Sequence, residues 1–331
     1  HTVAVFDICA DAVHALVSSL PMHCLDRVRV VESVAAVAEQ ASQLVLALPT
    51  TLQTTGEVAQ EVGHSEMGAL DTVQQHTPSS SPFDLTPIHN TLTTLSTFTQ
   101  HHATTHPFAP LLLCSTFTPG TTDALQRQYP LLHLAHLPEF LSASTATVDL
   151  AAPRHDTLLV GVPDGMPASV MDRVRRAVSR LGPHPPGTHH TIDTVRAVES
   201  ETTKLCCNAF YATKVQVFNE FYHVCQRAGV HYPTMKRLMV RYGWVHPMHT
   251  DVPGADGTFG FGGKCLPKDL GALVGWMQGQ TQGQTQEQQR QDTPNGSNAG
   301  ANKGTGVGVG VPVLTATQQA HHQHCDDVKD Q

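Results

Sequence analysis

The first 203 residues of the sequence contain no lysine. Five of the seven lysines lie between Lys204 and Lys268, and the chain before them carries arginine instead. Lysine supplies a compact ammonium whose charge state can be tuned, which arginine does not offer. The distribution therefore indicates a chemical role for the segment from Lys204 to Lys268, with drift in a small sample as the alternative.

Charged residues and long apolar runs are also scarce. Only 15% of the residues are charged, and the formal net charge is −8 with no basic run, which argues against a protein that coats nucleic acid. The hydrophobic share of 40% is too high for wholesale disorder. Because no run reaches about 18 apolar residues, the sequence predicts no membrane span.

The eight cysteines include no C-x-x-C pair. Their spacing predicts neither a metal site nor a disulfide framework, and it favours a reducing, cytoplasmic location. The sequence opens on His1, directly before an apolar run. We therefore expect the native N-terminus to lie upstream, where a targeting peptide would also lie.

Short apolar runs alternate with helix-period stretches up to residue 187. Such alternation is typical of a parallel sheet covered on both faces. We therefore predict an α/β, Rossmann-like, doubly wound parallel sheet over residues 1–187, with one helix whose shared face carries Ile88, Leu92, Leu95 and Phe98. The predicted strands are Val3–Phe6, Val28–Val31, Leu44–Leu48, Leu111–Leu113, Leu131–Ala135 and Leu158–Val162.

The sequence changes character after residue 187. No glycine or proline occurs from Thr188 to Ala228, and apolar residues lie on most sides, which predicts a helix of ~30 residues. Such a helix should be covered by other helices or by a second subunit. We therefore expect an all-helical central domain over residues 188–277 that forms a homodimer through this helix.

Two further segments complete the chain. Residues 278–310 form a Gln/Gly-rich tract that cannot bury a core, and we predict a disordered insertion. The run Gly304–Gly308 within it has no strand before it and no helix after it, so it does not predict a phosphate-binding loop. Residues 311–331 form a C-terminal tail in which we predict a short helix.

Residues suited to covalent catalysis cluster in the lysine-bearing segment. Lys204 and Asn208 are four residues apart, so a helix presents them on one face. Cys265 precedes Lys268 and Asp269, and nearby cations favour the thiolate that makes a cysteine nucleophilic. From spacing alone, a structural cysteine and a solvated lysine stripe remain alternatives. Glycines, which let a backbone approach a ligand closely, precede Cys265 at Gly254, Gly257, Gly260, Gly262 and Gly263.

Five blocks of the sequence, in the same order along the chain, resemble motifs of the UDP-glucose/GDP-mannose dehydrogenase family. Three are similar to strand ends and turns of its nucleotide-binding half. The other two are similar to its central helix and to its signature G-G-x-C-x-P-K-D. Together they extend over most of Val3–Gly275. The approach Val252–Gly257 resembles the short branch of the family, which lacks the C-terminal nucleotide-binding domain. The blocks are Leu48–Thr50, Ser115–Thr122, Leu137–Leu141, Glu201–Lys214 and Phe261–Asp269.

The resemblance implies NAD-dependent oxidation of C6 of a nucleotide sugar, with UDP-glucose converted to UDP-glucuronate as the expected reaction. Cys265 would attack the intermediate aldehyde and form a thiohemiacetal and then a thioester, which holds the aldehyde between two oxidations. Lys204 and Asn208 would stabilise the oxyanion. Asp269 would order the lysine and a water molecule.

The resemblance also implies the remaining site residues. Glu139 would be the general base for thioester hydrolysis, and Thr116 would lie beside the nicotinamide. Asp7 would hold the ribose hydroxyls of NAD. The implied cofactor-binding set is Asp7, Pro49, Thr50, Ser115, Thr116 and Lys268. The implied substrate-binding set is Phe140, Leu141, Lys204, Asn208, Phe259, Gly260 and Gly262, and neither nucleic acid nor membrane is expected as a partner.

Three departures from the family's pattern stand beside these expectations. The first βα unit, whose G-x-G-x-x-G turn cradles the pyrophosphate, is missing. Leu137 stands where the family has asparagine, and Ala143 stands where it has a second carboxylate. These departures motivate one alternative, a catalytically impaired paralogue that acts as a dimeric scaffold. Another alternative is a 3-hydroxyacid-type dehydrogenase, which also uses a lysine on a helix but needs no nucleophilic cysteine.

Overall fold

The computed structural model describes residues 3–19, 25, 27–41, 43–53, 81–102, 110–140, 157–181, 191–291 and 310–329. The chain divides into two compact units. The first unit contains His1–Thr50 and Asp84–Lys204, and the second contains Thr51–Phe83 and Leu205–Gln331. Leu141 and Ala143, two positions of interest in the sequence, lie outside the described residues.

The strands of the first unit confirm the predicted α/β fold. β1 and β2 form a two-stranded parallel sheet, and β3 to β7 form a five-stranded sheet in chain order. All pairs in the larger sheet are parallel except β5 with β6, which is antiparallel, so the sheet is predominantly parallel. The strands are β1 Val3–Val5, β2 Val28–Val30, β3 Leu44–Leu46, β4 Leu111–Leu113, β5 Leu134–His136, β6 Thr157–Val162 and β7 Thr191–Arg196.

The sheet of the first unit is interrupted between β1 and β3. Within the described part of the chain, β1 pairs only with β2, and β3 pairs only with β4. A cavity of about 880 Å³ is lined by Val3–Phe6 on one side and Leu44–Leu46 on the other. The first unit therefore has two sheets where the apolar runs predicted one, because an apolar run indicates a strand without specifying its neighbour.

Helices cover both faces of the larger sheet. Along β4, Leu111 and Leu113 join the core that includes Ile88 and Leu92, while Leu112 joins the core that includes Val174. The predicted buried face of Ile88, Leu92, Leu95 and Phe98 is confirmed. The helices of this unit are α1 Ala10–Ser19, α2 Val34–Gln40, α3 Thr86–His102, α4 Thr121–Gln128 and α5 Ala168–Val178.

The long helix α6 spans Ala197–Ala228, and the division between the two units falls within it, after Lys204. Its 32 residues agree with the expected length. It begins later than the glycine- and proline-free run because β7 occupies Thr191–Arg196, where threonine, isoleucine and valine favour a strand. Its burial is partial, since Phe210 and Val224 are each 61% exposed.

The second unit adds three described helices, α7 Tyr232–Arg241, α8 Leu266–Gln291 and α9 Pro312–Lys329. α8 continues well past Gln278, so the prediction of disorder from residue 278 is wrong as far as Gln291. Glutamine is a good helix former, and a helix that has already begun extends cheaply through such residues. Residues 292–309 lie outside the described residues. None of the described helices is long and apolar enough to cross a membrane.

Candidate active site

Two turns at the carboxyl ends of β3 and β4 are bonded to each other. The Ser115 hydroxyl donates to the carbonyl of Leu48 at 2.7 Å and accepts from its amide at 3.1 Å. The Thr50 hydroxyl donates to the carbonyl of Thr116 at 3.0 Å. Ser115, Thr116 and Thr50, all expected to bind cofactor, therefore lie together at the edge of a parallel sheet where nucleotides bind in such folds.

The residues expected to bind NAD fit part of that molecule. Asp7 is exposed just beyond β1, and only its Oδ1 is engaged in a described bond, from the Cys9 amide at 2.8 Å. A carboxylate after such a strand suits ribose hydroxyls. Pro49 is exposed. It lies between Leu48 and Thr50, which are hydrogen-bonded to Ser115 and Thr116. The described residues therefore suit the ribose and nicotinamide ends of the cofactor.

Lys204 is a buried ammonium held at the carboxyl end of β5. Its side chain is 8% exposed, and its Nζ donates to the carbonyl oxygen of Glu139 at 2.5 Å. The same Nζ lies 3.9 Å from Glu139 Oε1 and 5.2 Å from the centre of the Phe140 ring. The Glu139 side chain is 54% exposed. The geometry thus pairs a desolvated cation with a carboxylate that water can reach.

The strand end beside Lys204 also bears one departure from the family pattern. Leu137 is 8% exposed and packs in the core with Leu112 and Val160. An asparagine amide at that position would need polar partners to offset the cost of its burial. Leucine at this position therefore contributes packing rather than a polar contact with a ligand.

Asn208 and Asp269 form a buried pair within the second unit. Asn208 Nδ2 donates to Asp269 Oδ2 at 2.5 Å, and the two residues are 6% and 1% exposed. Asp269 Oδ1 accepts from Lys268 Nζ at 2.5 Å. The Lys268 ammonium also lies 4.6 Å from the centre of the Phe83 ring. The Asp269 carboxylate thus accepts from an amide and from an ammonium, and the ordering role that the resemblance implies for it stays a prediction.

Cys265 lies at the start of α8, one turn before Asp269. Its side chain is exposed, and its carbonyl accepts from the Asp269 amide at 2.9 Å. An exposed cysteine can react with a bound electrophile, which a buried one cannot reach. Cys9 is also exposed at the start of a helix, but the Asp7 carboxylate binds its amide. Burial, followed by the charge of Glu139, raises the pKa of the Cys114 thiol to about 11, which makes that thiol inert at neutral pH.

The loop before Cys265 is fixed by a buried amide that sequence reasoning did not assign to the site. Asn219 is 1% exposed, and its Oδ1 accepts from the Gly260 amide at 3.0 Å. Gly260 has φ 79°, in the left-handed region that favours glycine. Phe259 stacks on His223 with 5.9 Å between ring centres. The signal was the position of Asn219 inside a largely apolar helix, where a polar side chain needs a partner.

Glu201 is the other polar residue that sequence reasoning left without a role. It is fully buried at the start of α6, and its carboxylate accepts from the Gly120 amide at 2.6 Å. It also accepts from the Thr122 amide at 2.7 Å and the Thr122 hydroxyl at 2.6 Å. Burial raises the pKa of Glu201 from 4.5 to about 7, against the opposing effect of these bonds.

The raised pKa of Glu201 predicts a pH-dependent stability. Between pH 4.5 and 7 the unfolded chain loses this proton while the folded chain keeps it. The contribution of Glu201 to the free energy of unfolding is therefore complete below pH 4.5 and is lost as the pH rises through 7. We expect the free energy of unfolding of the wild type, relative to Glu201→Gln, to fall by roughly 2–3 kcal/mol from pH 4.5 to pH 8. Urea denaturation of both proteins measures this difference, and a difference that rises or stays flat would contradict it.

The structure thus gathers the predicted residues into two groups, one in each unit. The first unit brings Lys204 to Glu139 and Phe140, and it brings Thr116 to the cofactor-binding turns. The second brings Asn208 to Asp269, one turn from Cys265. The expected joint action of Lys204, Asn208 and Cys265 on one substrate stays a prediction.

Part of this chain is similar in sequence to known nucleotide-sugar dehydrogenases. The central domain of the UDP-glucose/GDP-mannose dehydrogenase family matches residues 198–289. A UDP-glucose 6-dehydrogenase from Pseudomonas aeruginosa is 28% identical over 144 residues, which is 43% of this chain and 28% of the relative. One from Caenorhabditis elegans is 31% identical over 140 residues, or 41% of this chain and 26% of the relative. The match thus spans less than a third of either relative.

Solved structures show the same fold at low identity. A UDP-glucose dehydrogenase from Pyrobaculum islandicum has a TM-score of 0.64 at 18% identity, over 98% of this chain and 63% of the other. A 3-hydroxyisobutyrate dehydrogenase from Mycobacterium tuberculosis has a TM-score of 0.57 at 13% identity, over 99% and 86%. Because both types of dehydrogenase share the architecture, the fold alone does not distinguish their substrates.

Proposed function

We propose that the protein, whose residues 198–289 match the central domain of the UDP-glucose/GDP-mannose dehydrogenase family, oxidises the C6 alcohol of a nucleotide sugar to the carboxylate. UDP-glucose is the proposed substrate and NAD the proposed cofactor. One observation carries the proposal, the bond from Asn208 on α6 to Asp269 on α8, one turn after Cys265.

The proposed reaction proceeds through covalent intermediates on Cys265. The C6 alcohol is first oxidised to an aldehyde, and the Cys265 sulfur then adds to the aldehyde carbon to give a thiohemiacetal. Oxidation of the thiohemiacetal gives a thioester, and water cleaves the C–S bond to release the carboxylate and the free thiol. NAD+, when bound, accepts the hydride in each oxidation.

Lys204 and Asn208 are proposed to stabilise negative charge on the C6 oxygen. A buried ammonium acts strongly on a nearby oxyanion because little water screens it. Glu139 is the proposed base for thioester hydrolysis. Its carboxylate is exposed, so water can reach it, and this supports the proposed role. Lys268 and Asp269 are proposed to orient Asn208, which would supply a neutral donor to the oxyanion.

A direct assay tests the proposed function. The full-length protein, incubated with NAD+ and UDP-glucose, should form two NADH for each UDP-glucuronate, followed by absorbance and by mass spectrometry of the sugar. GDP-mannose and 3-hydroxyisobutyrate serve as comparison substrates. NADH formation from 3-hydroxyisobutyrate alone, or from none of the substrates, would overturn the proposal.

The exposed side of α6 supports a further part of the proposal, a homodimer. Phe210, Val217 and Val224 are 61%, 38% and 61% exposed. Because they recur every seven residues, they form one apolar stripe that spans about 21 Å of the helix. Such a stripe can pack against the same stripe of a second copy, since a twofold interface uses one surface twice.

We expect Val217→Glu to convert the dimer to a monomer at micromolar concentration, because two like charges would meet in a desolvated interface. Light scattering after gel filtration measures the mass. Gln226→Glu is the matched control, since this exposed position on the same helix lies about 160° of rotation from Val224. A wild-type monomer, or a dimer that survives Val217→Glu, would count against the stripe as the interface.

A further inference from the structure

The turn that carries Thr116 is fixed at both ends by polar contacts of the first unit. At its start, Ser115 bonds to the backbone of Leu48 on both the donor and the acceptor side. At its end, the amides of Gly120 and Thr122 donate to the carboxylate of Glu201. The second attachment connects the turn to α6, the helix that carries Lys204.

Glu201 supplies a cap that α4 lacks in its own sequence. The N-cap residue of α4 is Gly120, which has φ 90° and no side chain to accept from the first amides of the helix. A helix N-terminus leaves such amides without an internal partner, and a carboxylate is a favourable acceptor for them. Here the acceptor comes from residue 201, and it is fully buried.

The beginning of α6 is itself held firmly against the sheet. The Ser200 hydroxyl lies 2.9 Å from Nδ1 of His136 on β5, and His136 Nε2 lies 3.2 Å from the Ser115 carbonyl. A Cβ at Gly161 on β6 would come within 2.6 Å of the Ser200 side chain, so the helix approaches this strand closely. Glu201 therefore lies on a part of α6 that these contacts hold in place against the sheet.

From these contacts we propose that Glu201 is a positioning residue: it holds the Ser115–Thr122 turn on α6 and so sets the placement of Thr116 relative to Lys204. The inference rests on the proposed dehydrogenase function. Glu201 acts through the turn, because its carboxylate is occupied by Gly120 and Thr122. Lys204 lies three residues further along the same helix, on the same side of it.

Glu201→Gln tests the proposal with little change in volume. A glutamine satisfies at most two of the three donors, because its amide nitrogen must face an amide N–H or the Thr122 hydroxyl. We expect kcat to fall roughly 10- to 100-fold, as small misplacements of catalytic groups do. The KM for UDP-glucose should change by less than about twofold, since the loss falls on the transition state.

A second measurement follows how easily the amides of the turn open, and it does not depend on enzymatic activity. Hydrogen exchange of the amides of residues 116–122, followed by mass spectrometry, should become at least about tenfold faster in Glu201→Gln, because an amide that loses a buried acceptor opens more easily. Thr122→Val removes only the hydroxyl donor. It should lower kcat by a smaller factor, and the double variant should fall by less than the product of the two single effects.

Glu199→Gln is the matched control on the same helix. Glu199 is exposed and bonds to Arg196 at the beginning of α6, so we expect its replacement to leave kcat and exchange of the turn unchanged. The positioning role would be overturned by unchanged exchange in Glu201→Gln, or by faster exchange with an unchanged kcat. Independent, multiplicative effects of Glu201→Gln and Thr122→Val would also overturn it. A wild-type protein without dehydrogenase activity would refute the proposed function and the catalytic part of this inference, while exchange would still report whether Glu201 holds the turn.

Discussion

Replacing Cys265 with serine should stop complete turnover. A serine hydroxyl adds to an aldehyde far less readily than a thiolate, so neither the covalent intermediate nor the second oxidation should proceed at a useful rate. We expect formation of UDP-glucuronate to fall roughly 1,000-fold or more, which corresponds to at least about 4 kcal/mol in the activation barrier. The rate of carboxylate formation by the full-length protein, followed by mass spectrometry, measures this directly.

The matched control is Cys206→Ser, at an exposed cysteine on α6 that has no assigned role. That variant should keep the wild-type rate. An independent readout is alkylation with iodoacetamide, which should modify Cys265 well before Cys114, whose thiol is buried and has a pKa of about 11. Normal UDP-glucuronate formation by Cys265→Ser would reject the thioester mechanism even if the protein proves to be a dehydrogenase.

The features that sequence predicted well are those set by residues close together in the chain. The apolar run at Leu111–Leu113 is a strand buried on both faces, a position that continuous apolar residues suit. Asp269 lies one turn after Cys265 because both belong to the first residues of one helical segment. Local pattern was sufficient in each of these cases.

The features that sequence did not predict depend on contacts between distant residues. Nothing in the run Thr157–Val162 indicates that it pairs antiparallel with β5, since strand direction follows from the path of the chain. The cavity between β1 and β3 likewise depends on which strands become neighbours. Burial of Glu201 could not be read from its sequence position, because its partners lie about 80 residues earlier, at Gly120 and Thr122.

Lys204→Met should produce the other large loss of activity. Methionine keeps much of the apolar stem that packs at the carboxyl end of β5 but removes the ammonium. If Lys204 stabilises the oxyanion, kcat should fall about 100- to 1,000-fold with a small change in KM, as expected for the loss of one preorganised donor. Steady-state NADH formation from UDP-glucose measures both constants.

Lys214→Met provides the matched control, since Lys214 lies on the same helix and donates to the carbonyls of His246 and Met248. It should lower stability and leave kcat within about threefold of the wild type, because its contacts support a loop and not the proposed reaction. Lys204→Arg adds a finer test. A planar guanidinium is too broad for a buried position that already directs one donor to the Glu139 carbonyl, so charge alone should not restore the rate. Full activity in Lys204→Arg would mean that the ammonium acts only as a diffuse positive charge, and full activity in Lys204→Met would remove Lys204 from the proposed chemistry.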